Sequence, residues 1–368
     1  MFTGLVSDSE GNFYGTAQFG GHGTCAYGCG TVYRLDTAGK FQVLHYFVGY
    51  PTDGSHPQAG LLRDGQGNLY GTTEHGGQCG VGTVFKISPQ GSETILHHFC
   101  GFSDGMFPSA ALIHDPAGNL YGTTQEGGGE AQAGTIFEVT PDGTESVLYR
   151  FKGGLDGEDP TAGLVRDDEG NLYGTTIFGG DPSCTVAPSC GTVFKLDASG
   201  IHSVLHEFTG PPDGAQPPYG ALVLDAEGNL YGATYGGGDA GCTGGGTFGC
   251  GTVYKIDPNG TETVLYAFLG SPDGGYPASN PIRNAAGNLY GTTDFGGMLN
   301  YYGIPYGTVY EVTPAGSETV LYSFPGGKNG WSPQAPLLLD QSGNLYSTTY
   351  SGGIGSDCCG VIFKLSPP

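Results

Sequence analysis

Residues 67–73 read Gly-Asn-Leu-Tyr-Gly-Thr-Thr. The opening tetrapeptide, Gly-Asn-(Leu/Phe)-Tyr, occurs seven times, starting at Gly11, Gly67, Gly118, Gly170, Gly228, Gly287 and Gly343. Successive intervals are 56, 51, 52, 58, 59 and 56 residues. A period near fifty residues marks a repeat architecture in which each unit buries its apolar face on its neighbours. The repeats run through all 368 residues without a linker, so a single domain over 1–368 is expected.

Working outward from that stretch gives four strands per unit. Pro57 opens a short apolar run, Ala59-Gly-Leu-Leu62, and Asp64-Gly-Gln-Gly67 is a tight turn. Asn68–Thr73 is a β-branched and aromatic strand, followed by a Gly-rich loop from Glu74 to Gly80. Gly82–Ile87 is a third strand, Ser88–Gly91 a second tight turn, and Glu93–Phe99 a fourth strand. The alternation leaves almost no room for helix. Seven such units describe an all-β, seven-bladed β-propeller with four antiparallel strands per blade. The last blade has Pro336–Leu339, Asn344–Thr349 and Gly360–Leu365 but no fourth strand before Pro368. A strand ahead of Met1 in the natural protein would complete it; otherwise its outer edge is exposed. The short turns fall on one face and the longer, variable loops on the other, which is where function is expected.

The 72 glycines recur beside Tyr, Val, Leu and Phe, as turn and bulge residues do. Thirty-five acidic and 12 basic residues give a formal charge of −23, which argues against nucleic-acid or anionic-membrane partners. No apolar run reaches the length of a membrane-spanning helix. The chain starts inside a repeat with no signal peptide, so Met1 is read as standing where a leader was removed. Ten cysteines, without metal-ligand spacing, point to disulfides and hence to an extracellular, secreted or cell-surface protein. Cys25 and Cys29, Cys184 and Cys190, and Cys242 and Cys250 each share a loop. Pairing outward from the Ser88–Gly91 turn puts Cys79 opposite Cys100. Cys358 and Cys359 are left together, either as a vicinal bridge or reduced.

Gly118-Asn-Leu-Tyr-Gly-Thr-Thr124, with Gly127-Gly128, Gly134-Thr-Ile-Phe137 and Pro141-Asp-Gly143, resembles the GloVer tandem repeat over essentially the whole chain. The likeness implies a bacterial secreted or surface protein and brings no established catalytic set. The arrangement is also similar to NHL-type propellers, which implies that the first strand of each blade lines the central channel.

Candidate chemistry sits where blades depart from the shared pattern. After the second-strand Thr-Thr, His75 and Glu126 break a position that holds Phe in three blades, next to Glu74 and Gln125. Before the Pro that opens each blade, Glu158-Asp159 is the one acidic pair. Glu74, His75, Glu126, Glu158 and Asp159 are expected to form an acidic arc over blades two to four, with Asp294 across the channel. Two such carboxylates can act as acid and as base or nucleophile on a glycosidic bond, and a carboxylate with His or Tyr can abstract a sugar proton in a lyase. The plainer reading is a set of solvated acids. No cofactor is required; calcium would suit oxygen-rich loops. The repeated Asp-Gly at Asp53, Asp104, Asp156, Asp213 and Asp273 is read as turn capping.

Loop aromatics near these acids, Tyr235, Tyr276, Phe107, Trp331, Tyr301 and Tyr350, are the rings a sugar would stack on. The expected partner is a poly- or oligosaccharide, and the expected state a monomer. The lead reading is a glycoside hydrolase or polysaccharide lyase. The alternative is a non-catalytic glycan-binding or adhesion module.

Overall fold

The computed structural model describes residues 4–243, 248–299, 303–353 and 360–366. The second blade shows how a repeat folds: strands Leu62–Arg63, Leu69–Thr73, Thr83–Ile87 and Glu93–His98 pair antiparallel in that order. Six blades have these four strands, the sixth with an extra strand, Gly274–Pro277, beside them; the seventh has Leu338–Leu339, Leu345–Thr348 and Ile362–Leu365. The chain is an all-β, seven-bladed β-propeller whose last blade has three strands. Among the described residues helix is confined to single turns such as Gly154–Asp156.

The innermost strands are shorter than the sequence suggested. Only Leu62–Arg63 pairs with the second strand, because the run before it, Ala59–Leu61, turns along the axis and lines a central cavity of about 320 Å³. That cavity is walled by Leu5, Leu61, Ala110, Gly163, Leu222, Pro281 and Pro336, one from each blade. Phe13 of the first blade packs, tilted by 42°, against Tyr346 of the seventh at 4.6 Å, which closes the ring.

The repeated motif is explained residue by residue. Asp64 Oδ1 accepts the backbone N–H of Gln66 and Asn68 at 2.9 and 2.8 Å, and Oδ2 accepts Asn68 Nδ2 at 2.7 Å and the Tyr70 hydroxyl at 3.2 Å. One carboxylate thus folds the turn and fastens the strand after it, while Gly67 takes the positive φ the turn requires, +85°. Tyr70 is accordingly half-buried, not a full core residue. A Cβ on Gly71 would lie 2.6 Å from Cζ of Phe85, so only glycine lets the third-strand aromatic cross there. Thr72 Oγ1 donates to the carbonyl of Ala110 in the next blade at 3.2 Å; Thr73 Oγ1 pairs with Thr83 Oγ1 at 2.8 Å. The two threonines therefore join blade to blade and strand to strand.

The core lies in the seams. Val84 and Phe99 of the second blade pack with Leu112, Leu120, Phe137 and Val139 of the third. At each of six seams the Phe ending one blade meets the third-strand aromatic of the next, from Phe47 on Phe85 to Phe324 on Phe363, at 5.0 to 5.2 Å. Such edge contacts contribute about 0.5–1.5 kcal/mol beyond area burial.

The Ser88–Gly91 hairpin pairs Glu93 with Ile87 and Ile95 with Phe85, then slips by one at a bulge before His97. Disulfides join Cys25 to Cys29, Cys79 to Cys100, Cys184 to Cys190 and Cys242 to Cys250, as the loops and the register require. Cys358 and Cys359 lie outside the described residues.

Candidate functional site at the long-loop mouth of the channel

Each loop that enters a blade is stitched to the loop leaving that blade's second strand. Ser55 pairs with His75, Met106 with Glu126, Glu158 with Phe178, Ala215 with Gly236, Gly275 with Phe295 and Trp331 with Ser351. The two sets of pattern-breaking positions are thus neighbours in space.

The residue before each blade's opening Pro has a left-handed backbone: His56, Phe107, Asp159, Gln216, Tyr276 and Ser332, with φ between 54° and 61°. Such backbone in non-glycine residues costs on the order of 1–3 kcal/mol and persists only where its surroundings impose it. Here the N–H groups of His56, Phe107 and Asp159 donate to Cys29, Val81 and Ala133 of the preceding blade, at 2.8, 2.9 and 3.1 Å. Their carbonyls accept from Glu74, Gln125 and Ile177 at 3.2, 3.3 and 3.2 Å. The result is a rigid ring of six side chains around the channel mouth.

In blades two to four the ring holds Asp159, and the loops paired with it carry Glu74 and Glu126. Glu74 Oε2 accepts from Gln58 Nε2 and lies 3.6 Å from His75 Nε2. The His75 ring is edge-on to His56 at 5.4 Å and to Phe107 at 5.2 Å. Burial first, and then His75, holds the His56 imidazole below its ordinary value. Gln125 donates to Ser109 Oγ at 2.6 Å.

Blade four breaks this pairing. Its residue after Thr-Thr is Ile177, whose side chain offers no polar group to Thr161 or to the Asp159 carboxyl. Thr161 Oγ1 and Asp159 Oδ1 are buried without hydrogen-bond partners, and Thr161 lines the cavity. Burial, followed by the charges of Glu126 and Glu158, pushes the Asp159 carboxyl up to about 6. Glu126 itself is exposed.

Tyr219 lines the central cavity together with Gln58, Ser109 and Thr161. The first strand of blade five has one residue more between its Pro and its Leu (217–222) than blade two has (57–61), and Tyr219 occupies that excess. Burial, and then the charges of Asp159 and Glu74, raise its hydroxyl pKa. Of the expected arc, Glu126 and Glu158 act through their charges on Asp159, and Glu74 lies against His75.

Blades five to seven form a separate sector. Tyr235 stacks on Tyr276 at 5.0 Å, and burial with the charge of Asp294 pushes the Tyr235 phenol up to about 12. Asp294 Oδ1 accepts from Ser332 Oγ and, at 3.3 Å, from Gln334 Nε2. Trp331 packs on Tyr306 at 5.6 Å and Tyr350 is exposed, while Tyr301 lies outside the described residues. Phe19, one of the three Phe at the position of His75 and Glu126, is 47% exposed, edge-on to His56 at 5.5 Å.

A scan of family models matches the Gloeobacter/Verrucomicrobia repeat over residues 2–244 and 241–368. The chain belongs to the Gloeobacter/Verrucomicrobia repeat family. A search of the curated proteins found no match. Among solved structures the chain is similar to a puromycin hydrolase (TM-score 0.59, 13% identity, 98% of this chain and 51% of that one). It is also similar to a protein assigned as a 6-phosphogluconolactonase from Bacteroides uniformis (TM-score 0.55, 13% identity, 98% and 99% of the two chains). The extracellular domain of a one-component-system protein from B. thetaiotaomicron is a third (TM-score 0.55, 13% identity), of which this chain covers 39%. At these identities the likeness establishes the propeller fold.

The repeat family's Asp-Gly loops do more in this member than cap turns. Asp53 Oδ2 and Oδ1 accept the N–H groups of Val48 and Gly54, at 2.7 and 2.6 Å, yet Oδ2 also lies 3.6 Å from His45 Nε2. His45 in turn lies 3.4 Å from Glu93 of the next blade. The same constellation recurs as His97–Asp104–Glu145, Tyr149–Asp156–His202, His206–Asp213–Glu262 and Tyr266–Asp273–Glu318. In His45–Asp53–Glu93 and His206–Asp213–Glu262 the ligand-type atoms lie within 4.8 Å of one another, a set that includes imidazole nitrogen and so fits a zinc-like ion better than calcium. Sequence reasoning missed these seam triads, and with them His56, Gln58, Ser332 and Gln334. The signal was the His56 departure before Pro57.

Proposed function

We propose that this chain is a secreted, carbohydrate-active propeller that hydrolyses a glycosidic bond at the long-loop mouth of its channel. The observation that carries this reading is Asp159: a buried carboxyl, raised to about 6, with one oxygen unpartnered beside the equally unpartnered Thr161 hydroxyl. A carboxyl held protonated to that pH is suited to protonate a leaving oxygen. Glu126, whose charge is felt at Asp159, supplies the ionised partner that activates water or attacks the sugar. Glu74, held by Gln58 and His75, and Tyr219 bind sugar hydroxyls from the next wall. Four disulfides support an extracellular setting, and the net charge of −23 supports an uncharged glycan over an anionic one. We read the chain as a monomer.

The test is a panel of neutral polysaccharides scored for reducing-end release. Asp159→Asn and Glu126→Gln are each expected to lower kcat by about 10²–10⁴-fold with little change in KM. Full turnover in both variants on a cleaved substrate refutes the assignment.

A second reading, glycan binding without cleavage, is favoured by the stacked Tyr235–Tyr276 pair beside the Asp294, Ser332 and Gln334 network. Binding abolished by Tyr276→Ala, with no release of ends from any glycan, selects it.

A further inference from the structure

Five seams between blades share an Asp and differ in the ring that faces it. Where the ring is Tyr149 or Tyr266, its hydroxyl donates to Asp156 Oδ1 at 2.7 Å or to Asp273 Oδ2 at 2.9 Å, and the contact is closed. His97 likewise hydrogen-bonds Asp104, at 3.3 Å. Two seams stay open. His45 Nε2 lies 3.6 Å from Asp53 Oδ2 and 3.4 Å from Glu93 Oε2, and His206 Nε2 lies 3.3 Å from Asp213 Oδ2. Both nitrogens are buried and make no hydrogen bond, and the same holds for Glu93 Oε1 and Glu262 Oε1. Buried polar atoms left so are costly unless something else satisfies them.

The spacing is that of ligands around an ion. A tetrahedral ion with bonds of about 2.0–2.2 Å holds its ligand atoms about 3.3–3.6 Å apart, further than most hydrogen-bonded pairs. Among the described residues, only these two seams gather an imidazole nitrogen and two carboxylate oxygens within 4.8 Å of one another. The backbone aims the aspartates: Asp53 accepts from the N–H groups of Val48 and Gly54, and Asp213 from those of Thr209 and Gly214 at 2.9 and 2.6 Å. Such outer hydrogen bonds fix the orientation of a ligating carboxylate. An imidazole with two carboxylates suits a zinc-class ion, whereas calcium takes oxygen alone. None of the six residues lines the central cavity, so these seams are separate from the channel mouth.

We propose that the seam of blades one and two and the seam of blades four and five each bind one divalent ion of the zinc class, through His45, Asp53 and Glu93 and through His206, Asp213 and Glu262. Water completes the coordination, since His45 and Glu93 keep 17% and 15% of their side-chain surface exposed. In each site His and Asp come from one blade and Glu from the next, so the ion clamps two blades together. Two carboxyls facing one imidazole need a proton or a cation between them. The cation requires deprotonated ligands, so it takes the proton's place at neutral pH and above.

The experiment uses the full chain, stripped of metal with EDTA and titrated with zinc chloride at neutral pH. Calorimetry is expected to find two sites per chain, and zinc to raise the melting temperature where calcium does not. His45→Tyr and His206→Tyr each install the ring that Tyr149 and Tyr266 already present at the equivalent position, so the fold is kept, and the melting temperature in EDTA checks this. Each variant is expected to bind one zinc ion, and the double variant none, with loss of the zinc-dependent melting shift. Glu93→Gln and Glu262→Gln, which keep the side-chain shape, are expected to remove the same sites one by one. Cobalt(II) in the wild type is expected to show the intense visible absorption of tetrahedral coordination, halved in each single variant. Absence of saturable zinc binding, binding that the His and Glu variants leave unchanged, or equal stabilisation by calcium overturns the proposal.

Discussion

Asp53 of the first blade and Glu93 of the second lie 3.6 and 3.4 Å from one nitrogen, His45 Nε2, two carboxyls sharing one seam with the imidazole between them. Burial, and then the neighbouring Asp, push Glu93 and Glu262 up to about 7 and Glu318 up to about 8, with the imidazole charge opposing the shift at the first two. Two carboxylates cannot share such a site unless one is protonated. The sign follows by linkage. A carboxyl whose folded pKa lies above its unfolded value holds more protons when folded, so its stabilisation is complete below about 4.5 and is lost as pH rises through 7 to 8. The His45 imidazole, raised despite burial by Asp53 and Glu93, acts in the same direction. The melting temperature is therefore expected to be higher at pH 5.5 than at pH 9. The triple variant Glu93→Gln, Glu262→Gln, Glu318→Gln is expected to flatten that dependence in a thermal scan. A wild-type melting temperature that rises steadily to pH 9 contradicts it.

The fold was legible in the sequence because every blade repeats the same local instructions. Asp64, Gly67 and Asn68 set a turn, and Gly71 and the two threonines set a strand, using partners a few residues away or at a fixed offset in the next blade. The seam triads were not legible for the opposite reason. His45, Asp53 and Glu93 come from two blades, and nothing local to Asp53 shows that its carboxylate, already satisfied by Val48 and Gly54, also faces a Glu forty residues on. Of the candidate site, His75, Glu126 and Asp159 were legible as positions that depart from the pattern. The left-handed backbone that aims Asp159 is imposed by Ala133 and Ile177, and no rule for a residue before proline anticipates it.

Gly71→Ala is expected to destabilise the protein by about 1–3 kcal/mol, because the new methyl meets the fully buried Phe85 ring at 2.6 Å. The seventh blade supplies the control. Ser347 already stands at the equivalent position, opposite the half-buried Phe363, and donates to the carbonyls of Ala335 and Pro336 at 3.1 and 2.9 Å. Ser347→Ala keeps the Cβ and loses only that hydroxyl, at a cost of about 1 kcal/mol. Urea unfolding of the two variants, compared at equal slope, ranks them; equal destabilisation would show that the ring contact is not the constraint.

Replacing Cys79 and Cys100 by Ala is expected to cost about 3 kcal/mol, since this bridge closes a loop of 21 residues, against 4 to 8 for the other three. The Cys25–Cys29 pair should cost less on the same account. Denaturation midpoints of the two double variants, with intact mass confirming the remaining bridges, give the order directly.

The candidate acid also makes a kinetic prediction. If Asp159 must carry a proton, kcat/KM on the cleaved glycan falls on an alkaline limb near pH 6, where its carboxyl titrates. Burial is the first cause of that value and the Glu126 charge the second, so Glu126→Gln removes part of the upward push and should move the limb to lower pH in whatever activity remains. Glu158→Gln, which removes the third cause without touching the proposed ionised partner, should shift the limb the same way while leaving most of kcat intact. A limb that stays in place in both variants, measured over pH 4 to 8, would show that some other group titrates in the reaction.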